Sequence, residues 1–392
     1  MGRRIPLKKI TQADFNQSFA AHQNGVQLHF KNCDLNGLDL SGKKFASIIF
    51  EDCNLNDVDL SSTVIEIGEF KNCLLIGVNF EKADLVNVEF IGCAMQKVNL
   101  SHVRIEGVGI KESNLANASL KSSEIEYSDA NVFKDVNLHG ADLSGTKIGW
   151  FSGEKINFEK ANLADSSISE SQLMNCNFTE ASLANSSMYS VAFVDCKMDK
   201  SILATAKIEN VMFKETQLND ADFEQAEIAY GSFSDSNLDG ANFKDASLSS
   251  VNEFRNVSMA ETDFTGASFS EDSNLYEVDI ATAKGLPPEV RQKAAGATKD
   301  ATPVVLPVDQ AQAALAEYQR EITLFTARYM GSEVNAEVDG KIAQAMLQQG
   351  YFSEDIVAAI AAHSPNPQNR MQQPGVYAAN VLRKAERKSH QK

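Results

Sequence analysis

The twenty residues ADLVNVEFIGCAMQKVNLSH, at positions 83–102, divide into four groups of five: ADLVN, VEFIG, CAMQK and VNLSH. The third residue of each group is large and apolar: Leu85, Phe90, Met95 and Leu100. The first residue of each group is small: Ala83, Val88, Cys93 and Val98. The same pattern begins at Phe30 and continues to Ile280, with a shift of three places after Ile125, an irregular step at Gly153, and one-residue insertions before Phe254 and Leu275.

A period of five fits neither a helix, which repeats every 3.6 residues, nor a flat strand, which repeats every two. The pattern is therefore an internal repeat. A 20-residue spacing separates the cysteines within each of two groups: Cys33, Cys53, Cys73 and Cys93, then Cys176 and Cys196. A coil made of four groups would stack these residues at the small inward position. About twelve coils at ~4.8 Å spacing form a rod on the order of 60 Å long.

Several groups resemble the A(D/N)LXX motif of the pentapeptide-repeat proteins. They are Ala83-Asp84-Leu85, Ala141-Asp142-Leu143, Ala161-Asn162-Leu163, Ala221-Asp222-Phe223 and Ala241-Asn242-Phe243. The resemblance covers residues 30–283 and implies a mainly β protein, a right-handed quadrilateral β-helix of about twelve coils. The family serves several unrelated purposes, so the resemblance indicates the fold more specifically than the function.

Residues 1–29 are basic and are expected to cover the exposed end of the first coil, as a solenoid requires. Thr11 is suited to capping a short helix, Gln12–Ala21, with Phe15 and Phe19 on one side. Met1–Gln12 lacks the apolar segment and cleavage site of a signal peptide. No run of about 18 apolar residues occurs, so we expect no membrane span.

The cysteines and histidines form no recognisable metal or catalytic pattern. Cys occupies a position that also accepts Val, Ala and Ser, as a small buried apolar residue would, and a spacing of 20 matches no zinc motif. Some secreted effectors join pentapeptide repeats to a cysteine-dependent ubiquitin-ligase lobe, but here no Cys follows Cys196. The six His are scattered: His22, His29, His102, His139, His363 and His390. We expect reduced thiols, no metal, no cofactor and a non-enzymatic protein.

Acidic charge is concentrated in the repeat. The formal net charge is −17, and residues 30–283 alone carry 41 acidic and 19 basic side chains. Such a surface attracts basic partners and repels nucleic acids and membranes. Acidic charge also keeps a long solenoid soluble, and this simpler explanation accounts for most of these residues.

Residues 20 apart should form columns along the rod. Lys160, Glu180, Lys200 and Asp220 alternate in sign, which indicates structural pairing. Asp195, Glu215 and Asp235 share one sign, and like charges opposite one another are destabilising. The outward positions beside them hold Met174, Val194 and Met212. These six residues are either a binding strip for a basic, partly apolar partner or a chance result of an acidic repeat.

Proline marks the expected domain boundary, since none of the eight prolines lies between residues 7 and 286 and Pro cannot donate to a strand ladder. Residues 284–310 contain Pro287, Pro288, Pro303 and Pro307, which predicts a semi-extended linker. Residues 311–392 are predicted to form an α-helical domain, whose first apolar stripe has a 3-4-3-4 spacing: Leu315, Tyr318, Ile322, Phe325 and Tyr329. Docking on the rod, homodimerisation and partner binding all remain open for these helices.

Residues 341–385 resemble a small helical segment of plasmid relaxases and other mobile-element proteins. The residues that carry this resemblance are Gln349-Gly350-Tyr351, Ala362-His363-Ser364-Pro365 and Tyr377-Ala378. The resemblance implies a bacterial mobile element as the source. The chain ends on a basic segment that includes Arg383, Lys384 and Arg387, which is typical of a solubilising helix end that interacts with the helix dipole.

Two function classes follow. The first is a non-enzymatic interaction or scaffold rod of bacterial origin that binds a protein with a basic surface. It would act in the bacterial cytoplasm or as an effector delivered into host cells. The second resembles the pentapeptide proteins that protect DNA gyrase from quinolones, in which an acidic rod imitates duplex DNA.

The C-terminal end of the rod distinguishes these two classes. The gyrase-protecting proteins are shorter and pair through their C-terminal ends. Free Leu or Phe positions before Lys284 would therefore favour the DNA mimic, and a capped end would favour the scaffold. In neither class do we expect a small-molecule substrate, or direct binding of nucleic acid by the rod.

Overall fold

Each group of five residues forms one side of a square coil, and four sides return the chain to the same corner one layer further along. In the computed structural model, which describes residues 7–21, 27–125, 131–248, 252–271 and 273–296, Phe50 pairs in parallel with Phe70, and Phe70 with Phe90. About twelve such coils stack into a β-helix. The predicted β-helix is therefore confirmed.

We name the four sides faces A to D in chain order; faces A and D carry the strands of the main sheet. Face A contains Leu28–Lys31, Ile48–Glu51, Gly68–Lys71, Val88–Ile91, Gly109–Lys111, Val132–Lys134, Ser152–Glu154, Met212–Lys214, Ser232–Ser234, Glu253–Arg255 and Asn274–Tyr276. Face D contains Lys44–Phe45, Val64–Ile65, Asp84–Val86, Arg104–Glu106, Glu124–Ile125, Lys147–Gly149, Lys207–Glu209, Glu227–Ala229, Ser247–Leu248 and Ser268–Phe269. Two longer strands, Ser167–Met174 and Ser187–Val194, pass around the corner from face D to face A.

Faces B and C are held by single parallel bridges, such as Asp34↔Asn54 on face B and Asp39↔Asp59 on face C. The separate pair Lys8–Lys9 and Cys33–Asp34 extends face B at the N-terminal end. Side-chain amides reinforce the bridges: Asn79 Nδ2 donates to Asp59 Oδ1 at 3.1 Å, and Asn99 Nδ2 donates to Asn79 Oδ1 at 3.0 Å.

A residue in the left-handed region turns the chain at most corners, two places after the large apolar residue. Asn87 has φ 50°, Lys97 has φ 59° and Asp235 has φ 52°. This conformation is costly for most side chains and least so for Gly, Asn and Asp. Gly, Asn and Asp therefore recur at these corners, although residues such as Lys97 also adopt this conformation there.

The large apolar residues fill the interior as stacked columns. The ring centroids of Phe50 and Phe70 are 5.2 Å apart, and those of Phe70 and Phe90 are 4.7 Å apart. Further along the same column, the rings of Phe193 and Phe213 have centroids 5.2 Å apart and planes within 4°. These rings are almost fully buried, so burial of each contributes about 1.5–3 kcal/mol.

The N-terminal end is closed by helix α1, Gln12–Ala21, as predicted. Thr11 Oγ1 accepts from the backbone N–H of Asp14 at 3.2 Å and donates to its carboxylate at 2.6 Å. These hydrogen bonds lower the pKa of Asp14. Phe15 is fully buried, with its ring 5.6 Å from that of Phe30, so the first coil does not expose its core.

The C-terminal end is covered in part, since Phe269 and Ile280 remain partly exposed among the described residues. Helix α2, Pro288–Gly296, follows the last bridge, Asp263↔Lys284, and buries Val290, with Leu286 buried just before it. The Arg291 guanidinium donates to the carbonyl of Ala283. The prediction of a semi-extended linker over 284–310 is wrong for Pro288–Gly296, because proline fits the first turn of a helix, where its missing N–H would have no partner.

The chain divides into two units, residues 1–299 and 300–392. The rest of the predicted linker and the predicted α-helical domain at 311–392 lie outside the described residues. Among the residues that are described, no helix is long and apolar enough to cross a membrane.

Candidate partner-binding surface

Asp195, Glu215 and Asp235 occupy the corner between faces A and B on three successive coils. The backbone N–H of Asp195 donates to the carbonyl of Lys214 at 2.9 Å, and that of Glu215 to the carbonyl of Ser234 at 2.9 Å. The three residues share the left-handed backbone conformation, with φ between 50° and 53°, and all are exposed. The structure therefore brings together the acidic column that the sequence predicts.

The column is only partly neutralised by its surroundings. Lys214 Nζ lies 3.6 Å from Glu215 Oε1, and Asn256 Nδ2 donates to Asp235 Oδ1 at 2.8 Å. In the described part of the chain, no hydrogen bond or ion pair engages the Asp195 carboxylate. One exposed lysine contact contributes little in water, so three carboxylates about 5 Å apart leave a strongly negative edge.

The apolar part of the predicted strip is smaller than expected. Met174 pairs with Val194 in the column next to Asp195, but Met174 is only 8% exposed. Met212 lies in a different column, beside Ala192, on the other side of the inward-facing Phe213. Val194 and Met212 are half-buried. The strip is thus mainly an acidic edge with one half-buried apolar neighbour, Val194.

The acidic column continues further than the sequence predicts. The backbone N–H of Asn256 donates to the carbonyl of Tyr276 at 2.9 Å, which places Glu277 next in line after Asn256. An open groove of about 410 Å³ runs along this corner. Its acidic lining residues are Glu215, Asp235, Glu277 and Asp279. In the sequence, Glu277 could be placed in this column from a spacing of 21 residues, from Asp235 to Asn256 and from Asn256 to Glu277. Each coil there contains one inserted residue.

The column of alternating charge has a weaker structural role than predicted. Lys160 Nζ lies 3.8 Å from Glu180 Oε2. Within the described residues no ion pair joins Glu180 to Lys200, or Lys200 to Asp220. Both members of the observed pair are about half exposed, so the pair contributes roughly 0–1 kcal/mol.

The cysteine columns lie inside the rod. All six cysteines are buried and carry free thiols. The Sγ atoms of Cys53 and Cys73 donate to the carbonyls of Phe30 and Phe50, each at 3.3 Å. Burial raises the pKa of the Cys176 thiol well above its usual value. The expectation that Cys fills the small inward position is confirmed.

Comparison with known families finds a match in each part of the chain. Residues 26–100 and 166–243 match the pentapeptide repeat region. Residues 335–385 match the C-terminal helical domain of the RepB DNA-primase, in agreement with the resemblance to plasmid-encoded proteins. Two stretches of the β-helix are thus similar to a pentapeptide repeat region.

Three solved structures illustrate what the chain is similar to. HetL, a pentapeptide repeat protein involved in heterocyst differentiation regulation from Nostoc sp. strain PCC 7120, is 18% identical over 68% of this chain and 95% of its own, with a TM-score of 0.25. QnrB1, a plasmid-mediated fluoroquinolone resistance protein, is 18% identical over 65% and 93%, with a TM-score of 0.22. The A-module of the mannuronan C-5 epimerase AlgE6 from Azotobacter vinelandii is 10% identical over 70% and 94%, with a TM-score of 0.30. No curated protein sequence matches the chain.

Proposed function

We propose that the protein is a non-enzymatic interaction rod of the bacterial cytoplasm that binds a partner protein with a basic surface. The single observation that carries this proposal is the exposed acidic column of Asp195, Glu215 and Asp235. Glu215 and Asp235 share an open groove with Glu277, which lies beyond the neutral Asn256. Like charges on neighbouring strands destabilise the fold, and a basic partner removes that repulsion. Electrostatic complementarity of this kind favours rapid and specific association.

The state of the C-terminal end supports a scaffold over a gyrase-binding DNA mimic. Leu286 and Val290 are buried where helix α2 follows the last coil, whereas Phe269 and Ile280 are only partly buried. Among the described residues, helix α2 thus covers part of the end that a second rod would need. The mimics that the sequence resembles pair through that end. A solenoid with a helix at each end is instead suited to presenting its sides to a partner.

The match of residues 335–385 to the RepB DNA-primase helical domain supports a bacterial source, as the sequence resemblance already implies. We assign this segment to a second contact, separate from the acidic column. Delivery into a host cell remains the alternative location, and the choice of partner distinguishes the two.

The test replaces the three column residues by lysine. The column variant carries Asp195→Lys, Glu215→Lys and Asp235→Lys, and is expected to lose the partner that the native protein retains. The matched variant carries Asp165→Lys, Asp245→Lys and Glu261→Lys, which are exposed residues at other corners. Both variants change the net charge by the same amount, so equal loss of the partner in both would show that only the overall charge matters and would contradict the proposal.

A further inference from the structure

The corner between faces D and A carries exposed aromatic side chains. Trp150 is 40% exposed, Tyr189 is 40% exposed and Tyr230 is 47% exposed. Trp150 is the only tryptophan in the sequence. A large aromatic side chain that stays exposed gives up more of the favourable free energy of burial than most side chains do. Such side chains are enriched where proteins bind partners.

The three rings lie along the axis of the rod. Gly149 pairs with Ser169 and Ser169 with Tyr189, so Tyr189 lies two coils beyond Trp150 in the adjoining column. Tyr230 occupies the same column as Trp150, four coils further on, where Ala229 pairs with Glu209. At ~4.8 Å per coil, Trp150 and Tyr230 are on the order of 19 Å apart along the axis, which an extended segment of about six residues spans.

Glu170 occupies the corner between Trp150 and Ser190. The backbone N–H of Trp150 donates to the carbonyl of Ser169 at 3.2 Å, and that of Phe151 to the Ser171 hydroxyl at 3.2 Å, which fixes Glu170 one coil beyond Trp150. The Glu170 side chain is half-buried. Within the described residues, no hydrogen bond or ion pair satisfies its carboxylate, and burial alone raises its pKa to about 7.

Among the described residues of this corner column, the neighbours of Glu170 are the uncharged Trp150 and Ser190. Ser190, the next corner residue, accepts a hydrogen bond from Asn210 Nδ2 at 3.0 Å. In the described part of the chain, the cation–aromatic contact joins Lys43 to Phe19, far from this corner. The Glu170 carboxylate is therefore partly desolvated and lies beside exposed aromatic rings. Within the described residues no cation is paired with it.

We propose that Trp150, Glu170 and Tyr189 form a recognition site for an arginine side chain on an extended basic segment of a partner protein. A guanidinium group is planar, stacks on aromatic rings and donates two parallel hydrogen bonds to a carboxylate. Glu209, paired with Tyr189 on the next coil, adds negative charge, and Tyr230 provides a further aromatic contact for the segment. Lysine lacks the planar fork and fits less well.

This site lies at the opposite edge of face A from the acidic column. It stands on its own observations and does not require that the acidic column bind anything. A single basic partner that crosses face A would contact both edges. The arginine site adds chemical specificity that acidic charge alone does not give.

The experiment uses the fluorescence of Trp150 in the full chain at physiological salt, which screens distant charges. A nine-residue arginine peptide is titrated, with a nine-lysine peptide as the comparison. We expect a saturable change in Trp150 emission, with the arginine peptide binding more tightly. Glu170→Gln should weaken its binding about 5- to 10-fold, consistent with the loss of one charge-assisted contact, whereas the exposed control Glu180→Gln should leave it unchanged.

Three outcomes would overturn the site. The first is the absence of a saturable change, and the second is equal binding by Glu170→Gln and Glu180→Gln. Emission that varies with protein concentration alone would also overturn it, because a second copy of the chain would then be the occupant. The column variant and the matched variant separate the arginine site from the proposed function of the acidic column. If both variants bind the arginine peptide equally, the arginine site is supported whether or not the acidic column binds a partner.

Discussion

Replacing Glu170 by glutamine should stabilise the protein at alkaline pH and not at acid pH. The pKa of Glu170 rises from 4.5 to about 7 in the fold because burial disfavours the charged form. The native protein therefore carries no cost from this group below about pH 4.5, and the full cost above about pH 7. Glutamine keeps nearly the same shape and has no charge to desolvate.

The size of this effect follows from the pKa shift. Each pKa unit corresponds to about 1.4 kcal/mol, so the shift sets an upper limit of about 3.4 kcal/mol. Since the side chain keeps some contact with water, we expect a gain of about 2 kcal/mol at pH 8.5 for Glu170→Gln, falling towards zero near pH 4.5.

The assay is guanidinium unfolding of the native protein and the variant at both pH values, followed by Trp150 emission, which reports the coils around Glu170. Glu180→Gln is the control, because that residue is exposed and pairs weakly with Lys160. A gain that does not depend on pH, or a loss of stability at pH 8.5, would refute the account of Glu170 as a desolvated carboxylate without a partner.

Three further predictions concern the rod itself. Phe193→Ala removes a fully buried ring from the aromatic column and should cost about 3–5 kcal/mol in chemical unfolding; an unchanged midpoint would contradict the packing described. Phe15→Ala should open the N-terminal end, so that hydrogen exchange accelerates in Leu28–Lys31 and not in Met212–Lys214; uniform acceleration would mean that the coils unfold as one unit. All six thiols are buried, so a thiol-specific reagent should modify them only in denaturant; rapid modification of the native protein would contradict their placement.

The sequence predicts the repeat and its first cap well, because both depend on short-range patterns. The five-residue period places Phe50, Phe70 and Phe90 in one column, as observed. Thr11 followed by Asp14, with Phe15 turned inward, is a local helix-start signal. Neither feature depends on how distant parts of the chain are arranged.

Features that depend on local packing or small register changes were not predictable in the same way. Met174 occupies an outward position in the repeat, yet the long strands Ser167–Met174 and Ser187–Val194 bury it. The desolvation of Glu170 likewise depends on its neighbours in adjacent coils, which spacing alone does not describe. Glu277 was missed because inserted residues change the column spacing from 20 to 21.

The most direct test of the acidic column is affinity capture with the intact protein, the column variant and the matched variant, from bacterial lysate and in parallel from eukaryotic-cell lysate. We expect a basic bacterial protein to be retained by the native protein and the matched variant, and lost by the column variant. If gyrase subunits are retained by the native protein and the matched variant and lost by the column variant, the protein is a DNA mimic. Retention of a host protein alone would make it an effector. Partners retained equally by all three forms would contradict the claim that Asp195, Glu215 and Asp235 form the binding surface.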